Sequence, residues 1–270
     1  MVSTEVVDER TDKLTIESAA TGGRRSVWVM RPAAWKQGST GWRALYMLHG
    51  CCAGGGWDWL GSGEVKAMTA GLDAVVIVPE GGIMGWYTDW RDGPAWETFH
   101  TSEIPALVEP KYGVGERRAV VGFSMGGFGA FGYAARHPGM FEAAASLSGV
   151  LDIRRDVRGY RSFFESYGLD TGDVWGDPGS WAAYNPADQA ARLKGVRLYL
   201  SCGNGEPGPL DPGQGAHDDV EDGILRQNEN FAEAARKAGL TMTKDFYGKG
   251  THTWPYWIRS LQRALPILLP

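Results

Sequence analysis

Short, continuous apolar runs alternate with stretches of helical spacing along most of the chain. Ala44–Leu48, Ala74–Pro79, Ala119–Gly122, Ala143–Leu147 and Val196–Cys202 are the runs, the pattern of parallel strands covered on both faces, and Thr241–Phe246 completes the set. Between them Ser62–Ala70, Trp96–Val108, Met125–Arg136, Gly223–Ala238 and Pro255–Leu268 predict helices, the second stopping near Pro110. Lys13–Glu17 and Arg25–Met30 instead alternate apolar and polar, and with Gly22-Gly23 between them they predict an antiparallel hairpin. Strands alternating with helices predict an α/β fold with a mostly parallel, doubly wound sheet flanked by helices. Asp152–Arg192 breaks this rhythm with irregularly spaced aromatic residues, so a cap-like insertion over about 152–192, covering the site and selecting the substrate, is expected. Without repeats or a linker, residues 1–270 read as one domain.

One strand-to-helix junction carries chemistry. Gly122-Phe123-Ser124-Met125-Gly126 is a G-x-S-x-G sequence between a predicted buried strand and a Gly/Ala-rich helix. A sharp elbow there needs glycines beside the serine, because Cβ atoms would collide, and it lifts the serine hydroxyl above the sheet. The helix N-terminus behind it offers the Met125 N–H to a developing oxyanion. With 39 glycines in 270 residues the motif arises easily by chance, so the strand before it and the helix after it carry the inference.

Composition changes the picture by exclusion. A net charge of -5 with no basic run argues against a nucleic-acid partner. The N-terminus carries acids where a secretion signal needs Lys or Arg before an apolar run, and no apolar stretch approaches ~20 residues. A cytoplasmic location, or secretion if a leader has been removed, and no membrane span are expected. Three cysteines, two of them adjacent, make a poor disulfide framework. Neither a metal nor a nucleotide motif is present, and no cofactor is expected. Twelve tryptophans are many, and several lie in Gly-rich loops such as Glu80–Pro94, where aromatic rings line a pocket or pack beneath the loop.

A serine hydroxyl needs a base, and the base needs a carboxylate to orient it. On an α/β-hydrolase fold the chain order is serine, acid, histidine. Of five histidines, His252 alone follows the last predicted strand. His137 reads as a helix C-terminal charge and His100 as a surface residue, while His49 opens the Gly-rich loop 49–56, whose glycines let backbone approach a ligand. Glu206, Asp211, Asp218, Asp219, Glu221 and Asp222 all follow Cys202, and spacing does not choose among them. The second oxyanion donor is expected from the loop after Leu48, at the Cys51 N–H; a reactive Cys51 or Cys52 is the competing reading.

The segments YMLHG (46–50), VPEGGIMGWYTDW (78–90), WETFHTSEIP (96–105), GFSMGG (122–127), CGNG (202–205), ENFAEAARKAG (229–239) and GTHTWPYW (250–257) together resemble the esterase D and antigen 85 group of α/β-hydrolases. The resemblance implies an α/β-hydrolase fold and selects the acid, because Glu221 with Asn228 and Phe231 reproduces the family's spacing. It implies Ser124, Glu221 and His252 as the catalytic triad and Cys51 and Met125 as oxyanion donors; substrate contacts are expected from His49 and Cys52 and, in the aromatic loops, from Trp86, Trp90 and Trp254. The implied activity is that of a serine carboxylesterase or acyltransferase acting on an acyl ester, with water, a sugar, a polyol or another alcohol as acceptor. His49-Gly50-Cys51-Cys52 stands where the mycolyltransferases carry Asp-Gly-Leu-Arg, which weakens the extension to trehalose and mycolate. A catalytically silent binding protein and a peptidase are the other readings of this fold.

Overall fold

The computed structural model describes residues 1–52, 57–213 and 215–270. The glycines at 54–56, expected to let backbone approach a ligand, lie outside the described residues. Among those described, nine strands form one sheet in the order β1-β2-β3-β5-β4-β6-β7-β8-β9. They are β1 (Ser3–Val6), β2 (Thr11–Ser18), β3 (Gly23–Met30), β4 (Trp42–Leu48), β5 (Ala74–Pro79), β6 (Val114–Phe123), β7 (Ala143–Leu147), β8 (Arg197–Cys202) and β9 (Thr243–Phe246). The first three are antiparallel and join β5 antiparallel; from β5 to β9 every neighbouring pair is parallel.

Side-chain alternation along the central strands divides the core in two. Tyr46, Leu48, Val75, Ile77 and Val120 enter one apolar layer, whereas Leu45, Met47, Val76, Val78 and Val121 enter the other. Each such side chain contributes about 1.5–3 kcal/mol on burial, so both faces must be covered by helices. The cover comes from α1 (Trp57–Leu60), α2 (Gly63–Ala70), α3 (Trp96–Thr98), α4 (Ile104–Leu107), α5 (Glu109–Tyr112), α6 (Met125–Arg136), α7 (Val157–Glu165), α8 (Thr171–Trp175), α9 (Pro186–Gln189), α10 (Asp219–Lys237) and α11 (Trp254–Leu268). Both α6 and α11 pack on β6 and β7, α6 contributing Phe128 and Phe131 to the first layer and α11 Leu261 and Leu265 to the second.

Four details differ from the sequence expectation. β1 was not anticipated, because its four residues are all exposed and show no alternation. The helix expected to end near Pro110 passes through a π-helical turn at Phe99–Glu103 and resumes as α5, since a proline in a first turn gives up no intrahelical bond. α10 begins at Asp219 rather than Gly223: the Asp218 carboxylate accepts from the Val220 and Glu221 N–H groups and so caps it. The irregular segment, expected only as a cap-like insertion, also contributes to the core. Phe164, Trp175 and Trp181 are fully buried and pack in an aromatic cluster with Trp86 and Phe128.

Candidate active site

Parallel register decides which residues meet. Leu48 pairs with Gly122, Phe123 with Leu147, Leu147 with Ser201, and Cys202 with Phe246. The residues just beyond these strand ends therefore form a row along the carboxyl edge of the sheet: the loop opening at His49, then Ser124, Ser148, Gly203 and Tyr247. That edge is where open α/β sheets bind ligands.

Ser124 stands at the elbow with φ 54° and ψ -121°, a conformation that disfavours any residue with a Cβ. Packing holds it there. A Cβ on Gly122 would overlap the Gly126 backbone, and one on Gly126 would overlap the Leu48 carbonyl. The Ser124 N–H also bonds the Leu147 carbonyl at 3.1 Å. Its Oγ lies 2.9 Å from His252 Nε2, and His252 Nδ1 lies 2.7 Å from Glu221 Oε2.

Glu221 is fully buried, and the cost of hiding its charge is offset by donors. Oε1 accepts from the Ser148 hydroxyl at 2.7 Å, the Gly203 N–H at 2.7 Å, and the Cys202 thiol and Tyr247 hydroxyl at 3.4 Å each. Burial, and then the neighbouring Glu221 charge, push the Cys202 thiol well up, so it stays protonated and donates. Asp218 couples the two halves of the site: besides capping α10, it accepts the His252 N–H at 2.7 Å. The His252 ring meets Trp257 edge to face at 4.9 Å, and Trp257 stacks on Phe123 at 4.4 Å. The imidazole is thus fixed in position and tautomer, with Nδ1–H toward the carboxylate and a free lone pair toward the hydroxyl.

Among the described residues, neither the Cys51 nor the Met125 N–H donates to a protein acceptor. Both are available to an oxyanion. His49 orients the first of them. Its Nε2 accepts the Gly81 N–H at 2.8 Å, which places the ring proton on Nδ1, and Nδ1 donates to the Gly50 carbonyl at 2.6 Å. That carbonyl and the Cys51 N–H belong to one planar peptide group, so holding one aims the other. Burial pushes the His49 pKa down to about 4, which keeps the ring neutral and Nε2 able to accept.

The structure corrects several sequence expectations. His49, expected to contact substrate, is fully buried and engaged at both ring nitrogens, which leaves it no free polar atom to offer a ligand. Trp86 is 2% exposed and belongs to the aromatic core under the irregular segment. His100 is buried, not on the surface: Nε2 donates to the Glu80 carbonyl and Nδ1 accepts from the Tyr133 hydroxyl. His137 lies at the C-terminus of α6 as expected, and its Nε2 is 2.7 Å from Glu97. Cys51 and Cys52, judged a poor disulfide framework, are joined to each other. Half-buried Trp90 bonds the Gly85 carbonyl through Nε1. Half-buried Trp254, two residues past His252, lines a cavity of about 720 Å³ with Leu210, Ile258, Arg259 and Asp58. Ser148, Gly203 and Tyr247 were not singled out from the sequence, although each directly follows a strand and strand pairing alone would have aligned them. Among the described residues, no cluster of potential metal ligands occurs and no helix is long and apolar enough to cross a membrane.

Sheet order, elbow and the hydrogen-bonded Ser, His and Glu side chains define an α/β-hydrolase of the serine esterase and acyltransferase class. The chain belongs to the family described as "Putative esterase", whose model matches residues 18–268. Over 260 aligned residues it is 34% identical to the diacylglycerol acyltransferase/mycolyltransferase Ag85B of Mycolicibacterium smegmatis, an alignment covering 86% of this chain and 78% of that protein. It is 31% identical to the esterase Rv1288 of Mycobacterium tuberculosis, covering 83% of this chain and 52% of that one. The crystal structure of M. tuberculosis MPT51 (FbpC1) superposes with a TM-score of 0.81 at 24% identity, over 97% of this chain and 98% of that one, a likeness of fold.

Proposed function

We propose that the protein is a serine carboxylesterase working through an acyl-enzyme, with Ser124 as nucleophile, His252 as general base and Glu221 as its orienting acid. The observation that carries this reading is the unbroken hydrogen-bond chain from buried Glu221 through His252 to the Ser124 hydroxyl. In this mechanism the Ser124 Oγ adds to the ester carbonyl while His252 Nε2 takes its proton, and Glu221 stabilises the imidazolium. The tetrahedral oxyanion accepts from the Cys51 and Met125 N–H groups. On collapse the C–O bond to the alcohol breaks, and His252 returns the proton to the leaving oxygen. Water then adds to the acyl-enzyme by the same route in reverse, releasing the free acid.

A second reading, transfer of the acyl group to an alcohol, draws support from the acyltransferase relative. The two readings share every residue above and differ in whether an alcohol outcompetes water at the acyl-enzyme. Incubation with p-nitrophenyl esters of graded chain length, with and without sugar or polyol alcohols, distinguishes them. Free acid as the sole product marks an esterase, and acylated alcohol formed at its expense marks an acyltransferase. Absence of p-nitrophenol release together with inertness to a serine-directed fluorophosphonate refutes both.

A further inference from the structure

Disulfides ordinarily stabilise a fold by closing a long loop in the unfolded chain. The Cys51–Cys52 bond joins sequence neighbours and closes no such loop, so global stability does not account for it. Its position is suggestive. The ring that it closes has eight members and includes the Cys51–Cys52 peptide, beside the Cys51 N–H that the proposed mechanism uses as an oxyanion donor. Inside that ring Cys52 has φ 74°, the left-handed region that a non-glycine residue avoids. The Cys52 N–H donates to the Ile83 carbonyl at 2.9 Å, and both cysteines are half-buried, leaving part of each open to solvent. The third cysteine of the chain, Cys202, is buried with its thiol pushed up, so reversible thiol chemistry falls to the adjacent pair.

We infer that Cys51–Cys52 is a redox-modification site at which a small thiol reductant opens the ring and lowers activity, and a small disulfide closes it and restores activity. This rests on Cys51 being an oxyanion donor. In the reducing direction a reductant thiolate attacks one of the two sulfurs, the protein S–S bond breaks and a mixed disulfide forms. A second reductant thiolate displaces the protein sulfur from it. The reductant leaves as its disulfide, having given two electrons, and Cys51 and Cys52 become thiols with two protons from solvent. Once the ring is open, nothing covalent holds Cys52 at positive φ. A left-handed non-glycine residue is disfavoured roughly tenfold, so the loop relaxes and moves the Cys51 N–H off the oxyanion. Activity follows the fraction of molecules still in the competent loop conformation.

The experiment compares the air-oxidised protein with protein treated with dithiothreitol and then with oxidised glutathione, reading thiol alkylation of the 51–52 peptide by mass spectrometry and kcat on a p-nitrophenyl ester. Reduction is expected to add two alkylatable thiols and lower kcat roughly three- to tenfold, with recovery on reoxidation. Cys52→Ser is expected to behave as the reduced protein, indifferent to thiols. Cys52→Gly is expected to recover kcat relative to Cys52→Ser, because glycine takes positive φ freely. A pair fully alkylated both before reduction and after glutathione disulfide overturns the inference, as does the same kcat in both redox states. Fluorophosphonate labelling separates the two levels: no labelling of Ser124 in either state sinks the proposed mechanism itself, whereas equal labelling rates in both states sink the redox site alone.

Discussion

Replacing Glu221 by glutamine keeps the side chain's shape and tests how the site fixes its histidine. The four groups around Oε1 all donate, and one of them, the Gly203 N–H at 2.7 Å, has no other option. The amide oxygen must therefore occupy the Oε1 position, since an NH2 there would face a buried N–H and leave both unsatisfied. Its NH2 then points at His252 Nδ1, which now has to accept. The ring proton moves to Nε2, opposite the Ser124 hydroxyl, and the base loses the lone pair that it needs. A wrong-tautomer lesion of this kind costs roughly 10³–10⁴ in kcat, about 4–5.5 kcal/mol of barrier. Hydrolysis of a p-nitrophenyl ester reads the loss, fluorophosphonate labelling of Ser124 should slow in parallel, and circular dichroism should be unchanged. A kcat within about tenfold of the parent would refute the tautomer reasoning and the choice of Glu221 as the acid.

Two further outcomes follow from packing and burial. Gly126→Ala places a methyl group against the Leu48 carbonyl and should destabilise by about 3 kcal/mol, lowering Tm by roughly 6–12 °C; a Tm within about 2 °C of the parent would show that the elbow does not press on β4. Burial depresses the pKa of His49 to about 4 and of His100 to about 3. The unfolded chain protonates both near pH 6.5, so their contribution is complete above about 6.5 and falls as the pH drops, toward 4 for His49 and toward 3 for His100. Tm should fall on the order of several degrees between pH 7 and 5, with His100→Gln removing about half of that dependence, and a flat profile in the parent would contradict it.

The central strands were legible because each carries an uninterrupted run of mostly apolar residues, a pattern that points to burial on both faces, and the elbow was legible because its glycines and its flanking strand and helix are contiguous. The position of His252, just beyond the last strand, was legible from chain order alone. The acid was different: Glu206, Asp211, Asp218, Asp219, Glu221 and Asp222 look alike along the chain, and the resemblance to known enzymes was needed to choose. In the structure the choice has a physical basis. Asp218 is spent capping α10 and bonding the His252 N–H, while Glu221, three residues on, turns inward among four donors.

What the sequence by itself determined is therefore what local spacing sets: the types of most strands and helices, the serine at its turn, and the chain order of Ser124, the candidate acids and His252. Only the tertiary structure decided which polar residues face the site. His49 and Trp86 sit in loops that read as pocket lining, yet both are buried, because a ring's exposure depends on what packs against it from distant segments: Gly81 for His49, and Phe164 and Trp175 for Trp86. Ser148, Gly203 and Tyr247 enter for the same reason. They are 55 and 44 residues apart in sequence, and strand register, a non-local property, sets them side by side around one carboxylate.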